Sequence, residues 1–215
     1  MGDEEMNLKP EVNPVFPEAV LMFKFPREIT KEEVNFYLNC KLRKNESNYT
    51  SENPYIFKEK IAKDICDFAH SCLSFYLKNI FCADSGINIS VTQSWLNVTK
   101  KGEAHHRHHH PNSFLSGVFY IAADEKTDRI CFFRGRPITP MNIDVTPKNF
   151  NPFNSAEFIL PVHTGHMLIF PSTLEHLVPR VDTDSTRISL SFNSMVTGTL
   201  GSSDLKTRLE IRGVG

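Results

Sequence analysis

The chain has 215 residues, of which 40% are hydrophobic and 23% charged, enough to bury a core without disulfides, and it reads as a single domain over 1–215. Lys and Arg number 24 against 25 Asp and Glu, a formal charge of −1, which speaks against a generally basic nucleic-acid binder but not against a local basic patch. Apolar runs such as Val20–Phe23 and Met167–Phe170 are far too short to span a bilayer, Met1-Gly2-Asp3-Glu4-Glu5 lacks an apolar secretion signal, and five cysteines, an odd number with no Cys-x-x-Cys pair, point to a reducing, cytoplasmic location.

Pro10, Pro14 and Pro17 among polar residues predict an extended arm over 1–18, and the short apolar run Val20–Phe25 predicts a strand. Thr30-Lys31-Glu32-Glu33 is a capping box opening a helix with Val34, Tyr37 and Leu38 at helical spacing. Residues 44–54 are polar and read as a loop. A second helix is expected from about Pro54 to Ile80, with Ile61, Ile65, Phe68, Cys72 and Tyr76 on one face. After Gly86 the period changes to two: Ile87-Asn88-Ile89-Ser90-Val91-Thr92 alternates strictly. Further strands are expected at Ser94–Val98, Ala104–His110, Ser116–Ala122, Arg129–Phe133, Glu157–Leu160, His166–Phe170, Glu175–Val178 and Arg187–Asn193, separated by Gly, Pro, Asn and Asp turns. Regular short strands with turn signals mean a sandwich or a barrel. The Pro- and Asn-rich stretch 136–156 is a long loop; with Arg134 and Arg136 it is either a substrate lid or a solvated surface. The layout is an arm, a strand and supporting helices over 1–85, an all-β core over 86–195 and a tail over 196–215.

Five of the nine histidines fall between 105 and 110, in Glu103-Ala104-His105-His106-Arg107-His108-His109-His110-Pro111. On a strand, His106, His108 and His110 share one face, and His105, Arg107 and His109 share the other. Imidazoles at i and i+2 suit two ligands of one metal, whether the pair is 106/108 or 108/110. A His-rich surface tract with incidental metal affinity has the same composition. The C-terminal half separates the two, because His176 is followed eleven positions on by Arg187, with Ser189 two residues later. Three imidazoles bind a divalent metal, and a guanidinium with a hydroxyl then grips a carboxylate beyond it, bidentately.

The strings Ser94-Trp95-Leu96-Asn97-Val98, His108-His109-His110-Pro111-Asn112-Ser113-Phe114-Leu115-Ser116-Gly117-Val118-Phe119-Tyr120 and Gly165 … Phe170-Pro171-Ser172 … His176-Leu177-Val178-Pro179 … Arg187-Ile188-Ser189-Leu190-Ser191-Phe192-Asn193 resemble the phage-type 2-oxoglutarate- and Fe(II)-dependent oxygenases over about residues 87–195. The resemblance implies a mainly β fold with flanking helices, a double-stranded β-helix (jelly-roll, cupin-like) core with the N-terminal helices packed on one sheet. It implies Fe(II) as metal, 2-oxoglutarate as cosubstrate and O2, with oxidative decarboxylation coupled to hydroxylation. It places His108, His110 and His176 on the metal, the family's second His standing just before Pro. Arg187, assisted by Ser189, would take the far carboxylate of 2-oxoglutarate, and Asn97 and Tyr120 on flanking strands could hydrogen-bond it. The wider superfamily has a carboxylate where this chain has His110, so the site here carries one more unit of positive charge. A three-His cupin-type dioxygenase without 2-oxoglutarate and a non-catalytic metal-binding jelly roll are the alternatives. The late strand sets a further condition. Arg187, Ser189 and Ser191 must face the cavity, while Ile188, Leu190 and Phe192 pack under the second helix; Ile87, Ile89 and Val91 are expected to face into the barrel.

Overall fold

The computed structural model describes residues 9–135, 141 and 143–213, so Arg136 and residues 137–140 and 142 of the expected loop lie outside the described residues. The elements are β1 (Leu21–Lys24), α1 (Lys31–Leu38), β2 (Leu42–Lys44), β3 (Tyr49–Ser51), α2 (Lys63–Asn79), β4 (Asn88–Thr99), β5 (His105–His108), β6 (Leu115–Ala122), β7 (Arg129–Phe133), β8 (Glu157–Pro161), β9 (His166–Pro171), β10 (His176–Val178), β11 (Arg187–Leu200) and β12 (Leu209–Ile211). The major sheet runs β1-β9-β6-β11-β4-β3-β2, with β12 on the far end of β11, and the minor sheet runs β5-β10-β7-β8. Neighbouring strands pair antiparallel throughout both sheets. The two sheets close on each other as a jelly roll.

Two apolar layers hold this arrangement. Ile65, Ala69, Leu73 and Tyr76 of α2 pack on Leu96, Val98, Phe119, Ile188, Leu190 and Phe192, the outer face of the major sheet. Between the sheets lie Val118, Tyr120, Ile130, Phe132, Leu168 and Phe170. The even-numbered residues of β11 therefore go under the helix, as the sequence requires. Arg187, Ser189 and Ser191 are left for the space between the sheets.

Local chemistry explains each departure from the expected elements. The capping box forms as read: Thr30 Oγ1 accepts from Glu33 N at 3.2 Å and Glu33 Oε2 accepts from Thr30 N at 2.8 Å. The second helix starts at Lys63 rather than near Pro54. Ahead of it Ile56–Lys58 and Lys60–Ala62 wind as single 3₁₀ turns, because Phe57 N donates to Ser94 Oγ (2.9 Å) and Ser94 N to Pro54 O (3.0 Å), tying this stretch to β4. The polar run 44–54 contains half a hairpin, with β2 paired to β3 as Leu42↔Ser51 and Lys44↔Tyr49. In β4, Gln93 and Val91 face consecutive partners Asn193 and Ser194, so Thr92 is an extra residue in a bulge. A bulge reverses parity. Ile89 therefore joins Leu96 and Val98 under α2, with Ile87 and Val91 packed against the same layer, and the expected barrel-facing role of 87, 89 and 91 is corrected. The expected C-terminal tail is also structured, since β11 continues to Leu200 and pairs there with β12. Among the described residues, no helix is long and apolar enough to cross a membrane.

Gly117 shows how tightly the helix-side layer is filled, because a Cβ there would run into the Phe192 ring. Gly117→Ala is expected to destabilise the protein by about 1–3 kcal/mol, the usual range for overpacking a filled core. Thermal unfolding reads this directly, and an unchanged midpoint would show that the Phe192 ring has room to move.

Candidate metal centre

β5 and β10 lie side by side in the minor sheet, with His176 opposite His108. The next paired residues are Val178 and His105, so two steps along β10 match three along β5. This bulge overturns the strict alternation expected of 105–110. His105 shares a face with His108, the two rings stacking at 4.5 Å and 17°. Arg107 points outward, where Nε donates to Glu175 Oε2 at 3.0 Å and the guanidinium lies over Phe133. His109 is exposed. His110 lies past the end of the strand. Its backbone N–H donates to Ser172 O at 2.9 Å, and its ring lies 5.6 Å from that of Trp95.

This path brings His108, His110 and His176 together, each with a nitrogen within 4.8 Å of the others'. His110 Nε2 and His176 Nε2 are 3.3 Å apart. Two ligand atoms bound to one ion at roughly 2.0–2.2 Å stand about 3–3.5 Å apart, so the pair fits a shared divalent metal. The other nitrogens are already committed, with His176 Nδ1 donating to Leu174 O at 3.0 Å and His108 Nδ1 to His106 O at 2.8 Å. Such backbone acceptors fix ring orientation and leave Nε2 as the metal-facing atom. Phe170 and Phe132 pack against the His176 ring, and His176 itself is 5% exposed. Among the described residues no carboxylate joins this group. Glu175 is engaged by Arg107, and Glu103 Oε2 accepts from Lys100 N at 2.8 Å.

Burial, reinforced by the neighbouring imidazoles, pushes His110 down to about 3 and His176 down to about 4, and burial also lowers His108. All three are neutral at pH 7, the form that binds metal. The sign for stability follows. The unfolded chain, with ordinary histidines near 6.5, binds more protons than the folded chain between about pH 6.5 and pH 4–3. Metal-free protein should therefore be most stable above pH 6.5 and lose stability steadily as the pH falls through that window. Denaturant midpoints taken from pH 7 to pH 4 with chelator present check this, and a flat profile would contradict it.

Arg187 opens β11 and is 2% exposed. Among the described residues its one ion-pair partner is Asp128, 3% exposed, at 3.6 Å from Nη1. Sequence reasoning missed Asp128. It lies at the end of the Asp124–Asp128 turn, where its Oδ2 also accepts from Asp124 N at 2.8 Å, and that turn signal says nothing of a partner on β11. Ser189 sits in register between Asn97 on β4 and Tyr120 on β6, so all three stand side by side across the sheet. Tyr120 is buried between the sheets, and that burial holds its phenol well above the usual range, with Arg187 pulling the other way. It therefore keeps its proton. Asn97 Nδ2 donates to Ser191 Oγ at 3.0 Å, and its Oδ1 is buried without a partner. Ser191 can donate or accept, so the amide can turn either its oxygen or its NH2 outward.

A cleft of about 580 Å³ opens over the histidines, between β5 and the β2–β3–β4 side of the major sheet, with Arg43, Glu52, Gln93, Trp95 and Asn97 in its walls. Arg134 is tied to the 141–156 loop by Nη2 to Pro152 O at 2.6 Å, away from this cleft.

No curated protein sequence matches the chain. Among solved structures, it is similar to a prolyl-4-hydroxylase from Pseudomonas putida, with TM-score 0.57, 12% identity and coverage of 82% of this chain and 92% of that one. It is also similar to a 2OG-Fe(II) oxygenase family oxidoreductase from Burkholderia pseudomallei, with TM-score 0.54, 10% identity and coverage of 81% and 83%. HygX from Streptomyces hygroscopicus, solved with nickel and 2-oxoglutarate bound, aligns at TM-score 0.50 and 12% identity over 82% of each chain. These likenesses establish the double-stranded β-helix fold. The family model described as "Putative 2OG-Fe(II) oxygenase" matches residues 93–193, the stretch from the bulge of β4 to the middle of β11. Over that core, just under half of the chain, the sequence matches the 2-oxoglutarate- and Fe(II)-dependent oxygenases, a family that uses Fe(II), 2-oxoglutarate and O2.

Proposed function

We propose that His108, His110 and His176 hold the Fe(II) of this oxygenase through Nε2, that Arg187 and Ser189 bind the far carboxylate of 2-oxoglutarate, and that Asn97 and Tyr120 hydrogen-bond the cosubstrate from the flanking strands. The observation that carries this reading is the 3.3 Å separation of two neutral imidazole nitrogens, one on buried His176 and one on half-buried His110, which lines the cleft. When bound, the iron supplies the activation of O2 that couples decarboxylation of 2-oxoglutarate to oxidation of a second substrate. The chain's own groups do the rest. Three neutral ligands leave the full metal charge to attract a dianion, more strongly than a site that includes a carboxylate. The guanidinium fork of Arg187, in no hydrogen bond with any described residue, is free to grip two carboxylate oxygens. Tyr120, protonated, donates. Phe132 and Phe170 keep water from the back of His176.

The substrate is read as a small molecule or a side chain entering the cleft, whose volume is in the usual range for small ligands. Its walls offer an indole face, a cation, a carboxylate and carboxamides, so a polar substrate fits better than an apolar one. The chain works as one domain, and its five free cysteines suit a reducing, cytoplasmic setting. Succinate release from 2-oxoglutarate, measured with Fe(II) in air, tests the assignment. It should be lost in His110→Ala and kept in His109→Ala, and equal rates in the two variants would refute it.

A further inference from the structure

A second cluster of ligating groups stands beside the first: His105, His106 and His108 also bring one nitrogen each to within 4.8 Å of the others'. Three observations set it apart from an incidental surface tract. The bulge in β5 turns His105 onto the His108 face, and both His105 and His106 line the cleft. His106 Nδ1 is buried with no hydrogen-bond partner. Yet Glu46 Oε2 lies 3.2 Å from that nitrogen, out of line for an N–H···O bond. That distance is also what two ligands of one divalent ion show, as in the inner pair. Glu46 is fixed opposite His106 by its turn, with Asn45 N donating to Asn48 O (2.8 Å) and Ala104 N donating to Ser47 O (3.2 Å), which fastens the turn to the start of β5.

We propose that His105 and His106 hold a second, outer divalent first-row ion such as Zn²⁺ in the cleft wall, and that Glu46, which faces His106 but stands outside the three groups clustered within 4.8 Å, closes onto that ion as its carboxylate ligand. His108 has one free nitrogen, because Nδ1 is held by His106 O, so it serves one ion at a time. With the inner triad filled, the outer ion rests on two imidazoles and the carboxylate, with open positions for water or an anionic group of a substrate. Repulsion between the two dications makes the outer site the weaker one. An ion there also narrows the approach to the inner centre.

The test is calorimetric titration of tag-free, metal-free full-length protein with Zn²⁺. Wild type should take up two equivalents in two phases. His105→Ala/His106→Ala should keep only the tighter phase, and Glu46→Gln should weaken the looser phase roughly tenfold or more, as expected on losing a group that fixes the ion. His110→Ala/His176→Ala should lose the tight phase and keep an outer ion, now free to recruit His108; retention of both phases there would count against the inner assignment while leaving the outer one intact. Uptake of a single equivalent by wild type, which needs no variant to fold, would overturn the proposal. So would two equivalents in His105→Ala/His106→Ala, or an unchanged second phase in Glu46→Gln.

Discussion

His176→Ala should remove 2-oxoglutarate turnover almost entirely, a loss on the order of a thousandfold or more, since the metal's several kcal/mol of catalytic stabilisation has no substitute in the site. His176 is the ligand most completely prepared by the fold. It is opposite His108 in the β5–β10 pairing, its Nδ1 is committed to Leu174 O, and Phe132 and Phe170 pack around its ring. Removing it leaves two imidazoles, one of them beyond the end of a strand, and a void between aromatic rings. Metal content of the purified variant and succinate release are the two measurements, and they should fall together. His109→Ala is the control, since His109 is exposed two residues before the Pro111 turn. Normal metal content with turnover lost would transfer the role of His176 from holding the ion to acting on the substrate. Turnover near the wild-type level would refute the three-His centre.

What the sequence disclosed and what it concealed divide along physical lines. Local signals were legible: the Thr30 capping box, the α2 stripe through Ile65, Cys72 and Tyr76, and the placing of Ile188, Leu190 and Phe192 under that helix. The first two depend on spacings a few residues long; the third followed from the period of two along β11 once Arg187 and Ser189 were required to face the cavity. The bulges were not legible, because one extra residue at Thr92, or between His105 and His108, leaves composition unchanged and reverses every side chain beyond it. That single effect misplaced the inward face of 87–91 and set His105 on the wrong side of β5. The β2–β3 hairpin was hidden for a different reason. Its three-residue strands are too short and polar to show a period, and the hairpin is anchored by the pairing of β3 with β4. Asp128 and Glu46 were missed because their meaning is wholly tertiary: a carboxylate in a turn becomes informative only when an arginine or a histidine from a distant strand faces it.

Arg187→Ala should weaken 2-oxoglutarate binding by about 2–4 kcal/mol, the range for removing one partner of a desolvated charge pair, or roughly 30- to 1000-fold in Kd. Metal uptake should be unaffected. The substitution has a second consequence in the absence of any ligand. Asp128 is as buried as Arg187, and its nearest cation is the guanidinium at 3.6 Å. Deleting that cation strands a buried carboxylate, at a stability loss of about 3–5 kcal/mol. Lower 2-oxoglutarate affinity in the single variant could therefore come from a loosened barrel as well as from the missing grip, and Asp128→Asn separates the two. Its amide oxygen can still accept from Asp124 N, as Oδ2 does at 2.8 Å in the wild type, but carries no charge to strand. Arg187→Ala/Asp128→Asn should recover most of the melting temperature and none of the 2-oxoglutarate affinity. Arg187→Lys should fall between, keeping the charge while losing the planar fork. In Asp128→Asn alone, Arg187 loses its competing anion, so 2-oxoglutarate should bind at least as tightly as to wild type. Calorimetric titration of 2-oxoglutarate into anaerobic, metal-loaded protein and thermal unfolding of the same samples supply both readouts. If affinity returned together with stability in the double variant, Arg187 would be a structural partner of Asp128, and the carboxylate grip would have to be sought elsewhere along the cavity.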